Sequence, residues 1–559
     1  MSPKSTLETV LAYHQRTKHH FHAYARSLGY LDWANQPDPF RRYEGARQIQ
    51  LPFRDPNGTI LPYEELYRPA SSGPDPVSKE SIGRLFQFFL GLSAWKEFQG
   101  SRWALRMNPS SGNLHPTEGY LVLPNRREVL SEDFGPGGMV GHYLSEDHSL
   151  EVRTLFDTQI GQDLMAGFSP ESFLIGLTSI HWREAWKYGE RAYRYCQHDV
   201  GHALAALVFS ARMLGWTVIH LENLSDESID RILGTDREDG CHPMEREAPD
   251  LLAVVVPGGP TAELPLSLPE EPIRQIGGGE WFGQANRLSE EHDDWSIIEE
   301  VHSASMKPTT SNARVSPPFE SPENKEFTTG KGAHEIIAQR RSAVAMDGRS
   351  SLESERFFEM MSRVLPRKGN PVWESISWIP SIHLGLFVHH RLHGLVPGLY
   401  ALVRRPETSE TLKASMRSEF LWSRPEGCPE DLPLYHLMEG DCQRIAGQVS
   451  CGQAIAAEGV FSLGMIAEFQ ESIEQLGPWH YRRLFWETGM IGQILYLEAE
   501  AAGIRSTGIG CFFDDPVHQI FGFNDKRFQS LYHFTVGGPI EDARLQTQPP
   551  YSEERMKVD

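Results

Sequence analysis

The run PSSGN, Pro109 to Asn113, places two hydroxyls, a carboxamide and a glycine within five positions, and His115 and Glu118 follow closely. Such residues add little to a core; they present donors and acceptors on a backbone that bends freely. Their chemistry is directional hydrogen bonding to a polar ligand. His115 and Glu118 would either line the same pocket or close a local turn. A second concentration is WKYGERAYRY, Trp186 to Tyr195, where Lys187 and Tyr188 are adjacent. A Lys–Tyr pair can manage a proton if the ammonium is desolvated or the cation stabilises a phenolate. The competing expectation is a charged helix start in which Arg191 and Arg194 pair with Glu190 and Asp199. His198 and His202 have the spacing of a metal pair, but no third ligand at suitable spacing accompanies them, so no metal is expected. HQRTKHHFH, His14 to His22, reads as a solvated N-terminal segment rather than a zinc site.

These residues need elements to hold them. SKESIGRLFQFFLGLSAW predicts a helix capped by Ser78, with Ile82, Leu85, Phe88 and Phe89 on one face. GYLVLP and DLLAVVVPGGP read as strands, and YRYCQHDVGHALAALVFSARMLG as a long helix ending near Gly215. Residues 1–75 read as an extended, turn-rich N-terminal extension, 76–260 as a first domain and 261–330 as a linker with one helix near DDWSIIEEVHSA. The patterns then resume over 331–559, where YRRLFWETGMIGQILYLEAEAAG is again a long helix and LYHFTVGGP again a strand and turn. An offset of 288 aligns the two helices. Over the 42 positions from 193 to 234 it makes nine identical pairs without a gap, including Arg194/Arg482, Gly201/Gly489 and Asp226/Asp514. Asp199 faces Glu487. A unit this large is a duplicated domain rather than a solenoid repeat.

With 559 residues the chain needs several cores. Its net charge, 53 − 75 = −22, repels phosphate backbones and anionic lipid, so neither nucleic acid nor membrane is an expected partner. No apolar run approaches the length of a membrane span, and the first twenty residues lack a signal-peptide core. Six cysteines without a CxxC predict reduced thiols in a cytoplasm.

RRSAVAMDG (Arg340 to Gly348), PSSGN and STGIGCFFDD (Ser506 to Asp515) resemble the flavin-binding segments of the nitroreductase superfamily. WKYGERAYRY narrows the resemblance to SagB-type dehydrogenases, relatives of peptide azoline oxidases. LDWANQPDPFRRYEG and SCGQAIA resemble landmarks of their tandem forms. The resemblance implies an α+β fold, a mostly antiparallel sheet wrapped by helices, with two such domains forming a pseudo-dimer within one chain, which is compatible with a monomer. It further implies FMN as cofactor and a small heterocyclic or peptide substrate, the alternatives being a NAD(P)H-dependent nitro- or quinone-type reductase or a non-catalytic flavin-binding scaffold. Ordinary members are dimers whose flavin is touched by both subunits, so each motif should occur twice here.

The motifs do not. The phosphate segment, Arg340, Arg341 and Ser342, occurs in the second half, while the first offers LYRPASSGP; the family's further cation is replaced by Val344, and Arg544 matches its C-terminal phosphate ligand. Gly508, Ile509 and Gly510 would let backbone N–H groups approach the flavin edge, whereas 288 residues earlier stand His220 and Glu222 in place of the glycines. Pro109, Ser110, Ser111 and Asn113 would meet the pyrimidine edge; SWIPSIHLGLFVHH keeps only Pro380 and Ser381. Lys187 and Tyr188, the azoline oxidases' proton-handling pair, face Gln475 and Leu476. Cys442, Cys451 and Cys511 read as buried thiols, with Cys511 nearest the flavin segment. The expectation is one composite FMN site, the second having decayed.

Overall fold

Two long helices, Ala192–Arg212 and His480–Ala501, lie against each other at the centre of the molecule. Their crossing is set by two glycines. A Cβ at Gly201 would stand 2.0 Å from the carbonyl oxygen of Trp486, and one at Gly489 would stand 2.1 Å from that of His198. Both pairs obey the offset of 288, so the contact is reciprocal. The ion pairs repeat this exchange. Arg194 Nη1 reaches Asp514 Oδ1 at 2.9 Å, and its counterpart Arg482 reaches Asp226 Oδ2 at 2.5 Å. All four side chains are buried. The expected pairing of Arg191 and Arg194 with Glu190 and Asp199 is therefore not found; Arg191 also binds Asp514, and Arg16 takes Glu190.

The computed structural model describes all residues except 1–4, 56–57, 59, 69–72, 126–128, 131–134, 238–239, 261, 322–327 and 553–559. Each half builds an antiparallel sheet. The first has seven strands in the order Gln48–Gln50, Ser149–Phe156, Gly138–Leu144, Thr117–Leu123, Phe173–Ile180, Glu247–Pro257, Trp216–His220. The second has six: Leu434–Glu439, Gly398–Leu402, Ile382–Val388, Phe461–Glu468, Phe528–Gly537, Arg505–Ile509. The last four strands of each follow the same spatial and chain order. Glu247–Pro257 is buried along nearly its whole length, consistent with helices covering both of its faces.

Several segments depart from the sequence reading. The first strand, Gln48–Gln50, comes from the expected N-terminal extension, and the expected linker holds two helices, Glu270–Gly277 and Ser296–Ala304. The extension also begins with a helix, Thr6–Arg16, opened by a Ser5–Glu8 capping box. Its Val10 and Tyr13, three apart, are buried, and the Tyr13 ring stands edge-on to both Tyr193 and Tyr481. His14 packs on Phe469 and His19 bridges to Phe513, so these histidines are interdomain packing residues and not a solvated segment. The chain's end crosses over as well: Gln546–Gln548 adds to Leu92–Phe98, which pairs with Ser101–Arg106. Among the described residues, no helix is long and apolar enough to cross a membrane.

The crossing predicts that Gly201→Ala and Gly489→Ala, made separately, each destabilise the protein by about 1–3 kcal/mol in urea unfolding, because backbone rather than a side-chain tip must yield.

Candidate functional site

Where the halves meet, a cavity of about 710 Å³ opens. Its wall is drawn from both. The first half supplies Asn108 to Asn113, Tyr188, Tyr195, Asp199 and His202; the second supplies Gln339 to Val344, Tyr496, Thr507 to Cys511 and Tyr532.

The PSSGN loop follows Ser101–Arg106 and leads into Thr117–Leu123. Gly112, Asn113 and His115 have φ of 60°, 60° and 53°, so three of four residues sit in the left-handed region. Such conformations cost energy for non-glycine residues and persist where neighbours fix them. Here the Asn113 side chain donates to Ala104 O at 2.8 Å, and His115 N donates to Ser110 Oγ at 2.8 Å. Ser111 donates to the Asp199 carboxylate from both its backbone N, at 3.1 Å, and its hydroxyl, at 3.0 Å. Glu118 takes no part in the wall; it is buried in an ionic network with Arg183 and His142.

Lys187 and Tyr188 end the helix His181–Tyr188 beside this loop. A Cβ on Gly112 would come within 2.6 Å of the Tyr188 hydroxyl and 3.1 Å of Lys187 Nζ. Burial, then Glu184, Tyr195 and Asp199, pushes the Tyr188 phenol well above its ordinary range. That direction opposes a phenolate base and suits a proton donor. Burial also raises Asp199 to about 7, against hydrogen bonds from Ser110 and Ser111 that favour its ionised form.

From the other half, Arg340 donates from Nε to Met107 O and from Nη2 to Arg106 O, both at 3.1 Å. The RRS segment is thus anchored on the backbone leading into PSSGN. Arg341 donates to Ser93 O at 3.0 Å, and burial followed by the Arg340 charge lowers it to about 10. Ser342 shares a hydrogen bond of 2.9 Å with the Tyr496 hydroxyl, which also accepts from Gly508 N at 3.0 Å. The glycines serve packing as well as backbone approach. A Cβ on Gly508 would meet the Tyr532 hydroxyl at 1.8 Å, and one on Gly510 would meet the Tyr195 ring at 2.1 Å. Ile509 lines the cavity between them.

Arg544 stands apart from the other expected residues: it is exposed, paired with Asp542 at 2.7 Å and stacked over Phe98. Val344 is an exposed part of the rim, but Arg505 also lines the cavity, held by Glu500 and Glu541. Arg505, Asn108, Tyr195, Tyr496 and Tyr532 were not singled out by sequence. Arg505 lies three residues before Gly508, and Asn108 directly precedes PSSGN; the tyrosines carry no local signal. Among the described residues, buried polar atoms of Asn108 (Oδ1), His202 (Nδ1) and Arg340 (Nη1) lack partners. His198 is stacked on Tyr532 and bonded to Thr488, His202 bonds the Tyr532 hydroxyl, and no metal-holding group of three or more ligands occurs among the described residues.

The pseudo-equivalent location is filled. Glu222, the counterpart of Gly510, forms a buried ion pair with Arg483, the counterpart of Tyr195. The Arg483 guanidinium lies 4.6–6.0 Å from the rings of Trp378, Trp479 and Trp486. Glu487, the counterpart of Asp199, accepts from Ser381 N at 2.7 Å and also binds Arg404.

Residues 73–242 match the model for the Nitroreductase family. A candidate nitroreductase of Methanocaldococcus jannaschii is 29% identical over 131 residues, which cover 22% of this chain and 62% of that protein. A candidate nitroreductase structure from Anabaena variabilis superposes with a TM-score of 0.68 at 20% identity, over 95% of this chain and 99% of the other. The Escherichia coli microcin synthetase complex with truncated pro-microcin also matches, at 19% identity over 46% and 94%, but at a TM-score of 0.27 that carries no argument. The fold of the whole chain is therefore that of the nitroreductases, with residues 73–242 matching the family in sequence.

Proposed function

We propose that the chain is an FMN-dependent oxidoreductase of the SagB-type dehydrogenase kind, working at one composite site and descended from a tandem duplication. Its substrate would be a peptide or small heterocycle. The observation that carries this reading is that PSSGN and RRS, 229 residues apart from Ser111 to Arg340, wall the same cavity, with the Arg340 side chain bonded to the backbone of Arg106 and Met107 just before PSSGN. The cavity is of the size that holds small ligands and cofactors, roughly 300–1,000 Å³. Its residues suit FMN: Arg340, Arg341, Ser342 and Arg505 for the phosphate, tyrosine rings for the flat ring system, and the Asn108–Asn113 loop for its polar edge. Bound FMN would supply a hydride acceptor or donor.

The chain's own residues then position the substrate and handle its proton. Tyr188, with its proton held by burial, is the donor, and Lys187, outside the cavity wall, stands behind it with Nζ 5.3 Å from the Tyr188 ring. Asp199 is the group whose proton affinity lies near neutrality, the range in which a general base works best. Tyr195, Tyr496 and Tyr532 narrow the space and limit water.

Anaerobic titration with NADPH and NADH separates this reading from a nicotinamide-dependent nitro- or quinone-type reductase. A yellow protein inert to both is expected; rapid bleaching by either contradicts the dehydrogenase. Arg340→Ala in one half and Ser110→Ala/Asn113→Ala in the other should each weaken FMN binding by at least tenfold in a fluorescence titration, a charge-assisted bond of Arg340 being worth about 1.5–3 kcal/mol and the neutral bonds of Ser110 and Asn113 about 0.5–1.5 kcal/mol each. Arg544→Ala, outside the wall, should change affinity less than twofold.

The raised Asp199 also has a sign in stability. Its folded value, about 7, exceeds the model-compound 3.8, so the folded state binds more protons between these values. Its contribution is fully present below 3.8 and lost as pH rises through 7. In flavin-free protein, Asp199→Asn should shrink the stability lost between pH 4 and pH 8 by as much as about 4 kcal/mol in urea unfolding.

A further inference from the structure

Two cysteines at the cavity's edge remain unused by this chemistry. Cys511 lines the wall directly after Gly510, and Cys451 follows the short helix Gln443–Val449. Their sulfur atoms are 2.7 Å apart, and both residues are partly accessible. The two segments are tied together independently of the thiols. Phe513 N donates to Val449 O at 2.7 Å, while the Gln453 side chain donates to Ser450 O at 2.9 Å and Cys511 O at 3.1 Å.

Two further features distinguish this pair from buried structural thiols. Cys451 has a φ of 56°, at a helix end where glycine or asparagine is the usual occupant. Holding a cysteine there costs on the order of 1–2 kcal/mol, yet an unstrained neighbour, Gly452, adjoins it. The second feature is His19. Its Nδ1 accepts from Ala25 N at 2.9 Å, which leaves Nε2 to carry the ring proton, and the ring favours the ionised form of Cys511. Arg191 adds positive charge from the same side, bonding Gly510 O and the nearby Asp514. The neighbouring Cys451 thiol, and then the His19 ring, lower the Cys511 thiol below its ordinary range, while Cys451 is raised. The other four cysteines contrast with this: burial raises Cys196, Cys241, Cys428 and Cys442.

We propose that Cys451 and Cys511 form a reversible dithiol–disulfide site at the mouth of the cavity, with Cys511 as the reacting sulfur and a hydroperoxide as oxidant. The Cys511 thiolate attacks one peroxide oxygen, the O–O bond breaks, and with one proton taken up the products are Cys511 sulfenic acid and water. The Cys451 sulfur then displaces hydroxide from that sulfenic sulfur, its thiol proton leaving with the hydroxide as a second water. In sum, two thiols and one hydrogen peroxide give one disulfide and two waters, with two electrons passing from sulfur to peroxide. The disulfide pins Cys511 and the adjoining Gly510 to the helix end carrying Cys451.

The test uses the full chain, with six cysteines, treated with a small excess of hydrogen peroxide. Thiol counting in denaturant should fall by two and return with dithiothreitol, and peptide mapping should join 451 to 511. Cys451→Ser should instead accumulate a sulfenic acid on Cys511 that dimedone traps, and Cys511→Ser should keep all its thiols. Before oxidation, Cys511 should be alkylated by iodoacetamide at pH 6 at least tenfold faster than any other cysteine, and His19→Gln should slow it. Retention of six thiols, a crosslink elsewhere, or Cys511 alkylation no faster than that of Cys451 would overturn the proposal.

Discussion

The structure depends on an exchange across its centre. Arg194 of the first half holds Asp514 of the second, and Arg482 of the second holds Asp226 of the first. All four are buried, where an unmatched charge would cost several kcal/mol. Neither half can bury these groups without the other. The Gly201–Gly489 crossing between them lets the helix backbones approach closely enough for the pairs to form. Hydrogen bonds and rings from the N-terminal helix fill the remaining space: Arg194 donates to His14 O, and Tyr13 stands between Tyr193 and Tyr481.

This near-symmetric frame carries an asymmetric pair of sites. On one side a tyrosine faces a glycine, Tyr195 against Gly510, beside an open cavity. On the other, the same two positions hold Arg483 and Glu222, whose ion pair and surrounding tryptophans occupy the space. The contrast has a simple physical basis. A buried ion pair among indoles fills its space with side chains, whereas phenol rings over a residue without a Cβ leave room.

Much of this was legible in the sequence. The offset of 288 picked out residues that prove to be reciprocal partners, because a contact across a pseudo-two-fold axis constrains both copies alike. PSSGN announced itself by its residue types, and RRS by its resemblance to a family segment. Other features were hidden for physical reasons. Thr6–Arg16 sits in a His-rich segment of polar appearance, and its buried face shows only against both halves. Tyr195, Tyr496 and Tyr532 look like core aromatics, since only the space beside them distinguishes a cavity wall from packing. Arg544 matched a family position by its place after the last long strand, but its neighbour Asp542 offers a local partner that holds it at the surface.

The central claim is that both halves build a single flavin site and that its twin is closed. Calorimetric titration of the flavin-free, full-length chain with FMN tests it most directly. The account predicts one FMN bound per chain at saturation; two per chain, or none, would contradict it.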